Sequence, residues 1–349
     1  MLRSLYAGIS GMKANQIKLD VIGNNIANVG TTSFKSSRVR FQDMVSQSMS
    51  QASAPAANQG GVNAKQVGLG VQVAGIDVMV GQGMMQPTSR NLDVAMDGEG
   101  YLMVAKGRTP DTNVAGVGVD PTEHTANAPS GTDVLYTRDG ALTLDKEGNL
   151  LNSDGLRVLG YAIDDTTGAP SIEYTAGVPK LNFVNADSKT LQPSITLVPL
   201  VIPEKIFVPG DGAATPPTVD GDVRVKTFSI EKDGIVKAVL EGGKVAILGQ
   251  IAVASFKNPA GLAKVGGNLY QNTSNSGAPI VRTGKNTDKA IPDNGGGYGD
   301  MLQGMLEMSN VDLAEQFTDM IVASRAFQAA GKTITTGDEI LQDIINLKR

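Results

Sequence analysis

The side chains able to do chemistry in this sequence are few and badly grouped. There is no cysteine, so thiolate nucleophiles, thiolate metal sites, redox pairs and disulfides are excluded by count. The one histidine, His124, lies in Pro121-Thr-Glu-His-Thr-Ala-Asn-Ala-Pro129, where no strand or helix period would hold it rigid for a Ser-His-Asp triad. It reads as a solvated loop residue. Gly331-Lys332-Thr333 ends like a phosphate-binding loop, but Ala326 stands where the leading glycine belongs and the motif falls inside a helical pattern. Asp97-x-Glu99 opens like a calcium loop, yet Arg108 occupies the place of the bidentate glutamate. The acid pairs Asp164-Asp165 and Asp93 with Asp97 have the residue types for glycoside hydrolysis, but acids in turns are ordinarily just solvated, and a chain without tryptophan lacks the usual sugar platform. The expectation is a protein that is not an enzyme and carries no cofactor and no metal.

Charge and hydropathy narrow the partners. Thirty basic against 35 acidic residues give a formal charge of −5, so there is no basic footprint for nucleic acid. No apolar run approaches the roughly 18 to 20 residues that span a bilayer, and no membrane insertion is expected. The first ten residues lack an uninterrupted apolar segment, so a cleaved secretory signal is not expected either.

The elements that would position any function are divided by the helix breakers. All 16 prolines fall between Pro55 and Pro292, which leaves both ends free to be helical. Stepping by three and four from Leu2 gives Leu2, Leu5, Ile9, Met12, Gln16, Leu19, Gly23 and Ile26, a heptad seam with few interruptions. At the other end, Leu313, Phe317, Met320, Ser324, Phe327, Gly331, Ile334, Asp338, Leu341 and Ile345 form a second, and Ser309-x-x-Asp312 before it has the form of a capping box. Residues 1–35 carry four bases and one acid, while 301–349 carry seven acids and four bases; the opposite signs favour pairing. Such interrupted seams are too weak to hold lone helices, so order is expected only on assembly.

Between the ends the period changes to short alternating runs, such as Val71–Val80, Leu92–Met96, Tyr101–Val104, Val134–Thr137 and Val245–Leu248, separated by Asp-Gly turns at 97–98, 139–140, 154–155 and 233–234. The fold class expected is α+β: paired N- and C-terminal coiled-coil helices flanking all-β (sandwich or meander) domains. Residues 1–35 and 300–349 form the helical domain, 36–69 a linker or extended region, and 70–161 with 226–299 the β-rich core. Residues 162–225, rich in proline, form an inserted outer β-rich domain.

Two long segments, Asn24-Asn-Ile-Ala-Asn-Val-Gly-Thr-Thr-Ser-Phe-Lys35 and Ser309 through Ala329, together with the ending Thr335–Arg349, resemble the bacterial flagellar rod and hook family. Leu92–Tyr101, Tyr136–Gly140 and Leu248–Leu262 extend the likeness across most of the chain. Gly30 and Ser33 depart from the Asn and Gly usual in the first motif. The resemblance implies a self-assembling tube lined by the terminal helices, exported without a cleaved signal through the flagellar type III apparatus, and located in the extracellular hook or basal body. Within the family, the insert at 162–225 favours the hook branch, a bendable torque-transmitting tube, with the distal rod as the alternative. Partners implied are further copies of the chain and the rod, hook-cap and hook–filament junction proteins. Phe41 and Val45 are similar to the export-gate pattern of such substrates. The assembly residues expected are Leu5, Ile9, Met12, Leu19, Ile26, Leu313, Phe317, Met320, Phe327, Ile334, Leu341 and Ile345, with Asn24, Asn25 and Asn28 satisfying backbone groups and fixing register at the helix end.

Overall fold

The computed structural model describes residues 2–55, 60–107, 116–129, 131–165, 170–175, 178–188, 191–208, 221–282 and 298–347. Arg108, weighed above as a metal-loop position, lies outside them. The described chain is mostly β, with one long helix near each end: α1 (Leu2–Ala27) and α2 (Leu313–Asn346). It divides into unit 1, residues 1–81 with 309–349, and unit 2, residues 82–308.

Unit 1 holds both helices and a long hairpin. Ser37–Asp43 pairs antiparallel with Val71–Val78, from Ser37 opposite Val78 to Asp43 opposite Val71, with a bulge between Arg40 and Phe41. Ser46–Ser50 and Lys65–Gly68 continue it. Residues 36–69, read as a linker or extended region, are therefore paired strand over much of their length. Val71–Val78, read into the β core, belongs to unit 1. Alternation identified the strand but not its partner, because pairing is set by which edge lies next to it. α2 begins at Leu313, not at 300, since residues 300–303 and 305–307 are strands of unit 2. Its N-cap is Asp312, whose carboxylate accepts from the N–H groups of Ala314 and Glu315; Ser309 instead accepts from Val311 N–H. An N-cap side chain reaches only the second and third amides of its own helix, and from the observed start only Asp312 can.

Unit 2 is antiparallel throughout its named strand pairs. Its largest sheet runs through Lys205–Val208, Gly221–Ile230, Ile235–Leu240, Val245–Ile251, Arg157–Asp165, Tyr101–Gly107, Thr132–Thr137, Leu269–Gln271 and Ala263–Gly266. The alternation that makes a half-buried strand is plain in Gly221–Ile230, where Asp222, Arg224 and Lys226 are exposed between the partly buried Val223 and Val225. The described residues of 162–225, expected as an inserted outer domain, fall within unit 2. Arg157–Asp165 crosses the expected boundary and pairs with Leu191–Pro199, Leu159 opposite Pro199 and Asp165 opposite Leu191. Ile172, Leu181, Leu200 and Ile206 share one buried core with Val94, Leu102, Val104 and Leu142. Prolines loosen a strand signal, but the apolar residues between them still leave water, and the nearest apolar surface is that of the flanking strands.

A buried ion pair sits inside unit 2. Arg138 and Glu307 have side chains 4% and 0% exposed, and Arg138 Nε donates to Glu307 Oε2 at 2.9 Å. The other guanidinium nitrogens donate to the carbonyls of Met96, Gly98 and Gly100, while Glu307 Oε1 accepts from Gly83 N–H. Tyr101 lies under the guanidinium, 5.9 Å from ring centroid to Cζ, and stacks edge-on with Phe256 and Tyr270.

Burial holds five tyrosines of this unit neutral. It pushes the Tyr101 hydroxyl from 10 up to about 12, and it raises Tyr136, Tyr161, Tyr174 and Tyr270 as well. Tyr161 donates to Arg282 O and Tyr174 to Pro199 O, bonds that also require the proton. A raised folded-state value means stability that is complete below the unfolded value near 10 and is lost as pH rises through the folded one. Alkaline titration is expected to leave unit 2 intact to pH 10 and unfold it cooperatively above that, with tyrosinate absorbance and loss of β-type circular dichroism rising together. Tyrosinate appearing at pH 10 with an unchanged fold would contradict this.

Candidate functional site

The features that set this chain apart from an ordinary β protein lie on the two helices of unit 1. They run antiparallel. Lys18 Nζ meets Asp319 Oδ1 at 3.2 Å and Asn25 Nδ2 donates to Gln316 Oε1 at 3.0 Å. Further along, Gly331 faces Met12, and Gly337 faces Leu5. Glycine permits the close approach at two places: a methyl group on Gly8 would stand 2.9 Å from Thr333 Oγ1, and one on Gly337 would stand 2.9 Å from Leu5 Cδ2. The Lys18–Asp319 pair is partly exposed and contributes at most about 1 kcal/mol.

The face of α2 turned to α1 is built of small and polar residues. Ala323 and Gly337 are its buried positions, with Gln316 and Asp319 making the polar contacts and Ala330 standing against Gly8 and Gly11. On α1 the buried positions are Gly8, Ala14, Ile22 and Asn25. This seam coincides with the heptad one only in part. Of the residues expected there, Leu5 and Met12 lie against α2 and Ile334 lies against Gly8 of α1, and Leu19, Ile26, Met320 and Leu341 are half-buried. Ile9, Leu313, Phe317, Phe327 and Ile345 are exposed. The reason is steric: small residues allow the backbones to approach, so the pair closes on them and the bulky side chains remain outside.

The outside of α2 consequently displays a long apolar surface. Phe317 is 46% exposed, Ile321 59% and Val322 57%, and Leu313, Phe327, Ile340, Ile344, Ile345 and Leu347 continue it. Ile321, Val322, Ile340 and Ile344 were not singled out by the heptad reading. The signal was available, since a helix with apolar residues off its main seam has more than one apolar face. Large apolar side chains left in water on a helix mark a candidate interaction surface. Asn25 accepts from Ser37 N–H and donates to Ser37 O; Asn28 donates to Asn24 O and accepts from Thr31 Oγ1; Asn24 is exposed. Phe41 lies at the hairpin bulge, opposite Val73, and Val45 is exposed just beyond the strand.

The side chains weighed for catalysis are dispersed. His124 is in a turn, its N–H donating to Asp120 O. Backbone N–H groups of Thr122 and Glu123 hold the Asp120 carboxyl below its usual range. Asp93 is buried beside Arg90, whereas Asp97 is exposed and accepts from Gln82. Lys332 and Thr333 are within α2. Among the described residues, no group of three or more His, Asp or Glu is placed to hold a metal ion, and no helix is long and apolar enough to cross a membrane.

A chain with a terminal helix pair that leaves large apolar side chains exposed and a large β unit has the make-up of a structural subunit. The comparisons with known proteins agree. Residues 5–35 match the flagella basal body rod protein model, residues 125–238 the flagellar hook protein FlgE/F/G D1 domain, and residues 302–347 the flagellar basal body rod FlgEFG protein C-terminal model. The chain is 40% identical to the flagellar basal-body rod protein FlgG of Bacillus subtilis over 349 residues. It is 33% identical to the flagellar hook protein FlgE of Borreliella burgdorferi over 450 aligned positions and 32% identical to the FlgG of that organism over 351. All three alignments cover the whole of both chains. The chain belongs to the flagellar rod and hook protein family, a family of structural proteins of the flagellum.

Proposed function

We propose that this protein is a subunit of the flagellar axial tube, a helical homopolymer that transmits torque and encloses an export channel. The observation that carries this reading is the apolar outer face of α2, exposed in the single chain. A contact between that face and a different surface of the next copy is heterologous, and generates a helix of subunits when its rotation does not close into a ring. In the polymer, α1 and α2 pack as coiled coils near the axis. Contacts between copies away from the helices are polar with few aromatic anchors, so neighbours slide against one another there. The helices of unit 1, within residues 1–35 and 309–349, make the inner tube, with Leu5, Ile9, Met12, Leu19, Ile26 and the α2 residues from Leu313 to Ile345 as its contacts.

The hook is the first assignment, supported by likeness to a hook protein over the full chain. The second, the distal rod, is favoured by a specific observation: the rod relatives align over 349 and 351 positions, while the hook alignment runs to 450 against a chain of 349 residues. In either role the neighbours are rod, hook-cap and hook–filament junction proteins, and export proceeds through the type III apparatus without a cleaved signal, with Phe41 and Val45 as gate contacts. Electron microscopy of the purified assembly tests both levels. A hollow tube is expected; a curved, polymorphic tube identifies the hook and a straight, short cylinder the rod. A monodisperse monomer at all concentrations, or closed dimers, overturns the proposal.

A further inference from the structure

The chain enters unit 2 at Gln82 and leaves it at Met308, and both crossings lie beside the buried Arg138–Glu307 pair. Met85–Pro87 runs antiparallel to Met305–Glu307, with Glu307 opposite Met85, and Met308 N–H continues the ladder to Met84 O at 2.8 Å. These two strands pair with each other and join no larger sheet among the described residues. Glu307 ends its strand, and its carboxylate reaches to two sides: Oε1 accepts from Gly83 N–H at 2.8 Å and Oε2 from Arg138 Nε at 2.9 Å. Arg138 directly follows Thr132–Thr137, which pairs with Tyr101–Gly107 in the largest sheet, Thr137 opposite Leu102. Its other nitrogens hold the turn in front of that second strand, Nη1 donating to Gly100 O at 3.1 Å and Nη2 to Gly98 O at 2.8 Å. Gly98 and Gly100 have φ of +124° and +133°, which lets the turn aim these carbonyls inward where a side chain would strain it.

We infer that the Arg138–Glu307 pair is a load-bearing clamp, which fastens the entering and leaving strands to the largest sheet and carries into unit 2 any force that arrives along the chain. A pull shared by the two crossings moves Met85–Pro87 and Met305–Glu307 together, so bonds between them offer little resistance. What resists is the tie from that strand pair to the body of the unit. Arg138 supplies one close to both crossings; the next ladder, Val94–Asp97 with Asp300–Gln303, lies further along the chain from each. A guanidinium suits the task, because its planar fork reaches a carboxylate and several carbonyls at once, whereas a lysine ammonium is a single point of charge. With both side chains shut away from water, these charge-assisted bonds face no competing solvent donor. The use of the clamp rests on the torque-transmitting role proposed above; its existence is a property of one chain and is tested on one chain.

Because the chain has no cysteine, pairs of thiol handles can be placed on the full-length protein for single-molecule pulling. Ser309→Cys with Asp187→Cys applies force at the exit crossing, close to Glu307, while Glu123→Cys with Asp187→Cys applies it between two exposed positions of unit 2. Arg138→Met is expected to shorten the lifetime of unit 2 at fixed force on the order of tenfold in the first geometry and by less than about twofold in the second, where the load enters away from the clamp. A purely structural contribution shortens both alike. That result, or no change in either geometry, overturns the inference. If Arg138→Met does not fold, the unaltered chain decides. Pulled from position 309 it is expected to give way in one step, and an early release of residues 304–308, a step of roughly 15 to 20 Å, overturns the clamp. Polymerisation plays no part in the measurement, so failure of the tube reading and failure of the clamp are told apart.

Discussion

Replacing Phe317 by aspartate is expected to leave the monomer folded and to abolish polymerisation. Phe317 is nearly half exposed in the single chain, so a carboxylate there stays hydrated and the melting temperature should hardly move. In an assembly that covers the outer face of α2, the same carboxylate is taken out of water without a partner, at a cost of several kcal/mol. The side chain it replaces contributes about 1.5 to 3 kcal/mol when fully buried. Both changes act against the same contact, which repeats at every subunit of the polymer. Ala323→Asp makes the informative contrast: Ala323 is 1% exposed, on the face of α2 turned to α1, and its charge should disturb the monomer first. Sedimentation velocity and circular dichroism on the pair distinguish the two faces. Normal tubes from Phe317→Asp would show that the exposed face of α2 is not the assembly surface.

The second large effect is expected inside unit 2. Arg138→Met keeps most of the side-chain volume but leaves the Glu307 carboxylate buried without its guanidinium, and it removes donors from the carbonyls of Met96, Gly98 and Gly100. Breaking one partner of a buried pair costs about 3 to 5 kcal/mol. For a unit of this size each kcal/mol lowers the melting temperature by roughly 2 to 4 °C, so calorimetry should register a fall of about 6 to 20 °C. Arg138→Met with Glu307→Leu should recover much of that loss, because the uncompensated charge is gone. A single variant within about 1 kcal/mol of the parent would mean that water or a rearranged neighbour reaches Glu307.

Local chemistry in the sequence was enough for the helices and for most strands. Proline exclusion and three-four spacing located both helices, and alternation with Asp-Gly turns located strands such as Tyr101–Gly107 and Val245–Ile251. Asn25 was legible as a residue that satisfies backbone groups, since an amide in an apolar seam must find partners. Its actual partners, Ser37 and Gln316, were not, because Gln316 is 291 positions away and nothing local encodes that distance.

What the sequence by itself determined is therefore the set of elements, the family likeness of both ends and the absence of cysteine and of a second histidine. Only the tertiary structure decided which face of α2 meets α1, that residues 162–225 share the core of unit 2, and that Val71–Val78 pairs with Ser37–Asp43. A helical period reports that a stripe is apolar but not which of two stripes is covered. That choice depends on how closely two backbones approach, and here Gly8, Ala323 and Gly337 permit an approach that Phe317 and Phe327 would prevent. Likewise, a strand's alternation is the same whichever edge it joins. The partner is fixed by long-range packing, where buried area and satisfied backbone bonds, summed over the whole unit, outweigh local preference.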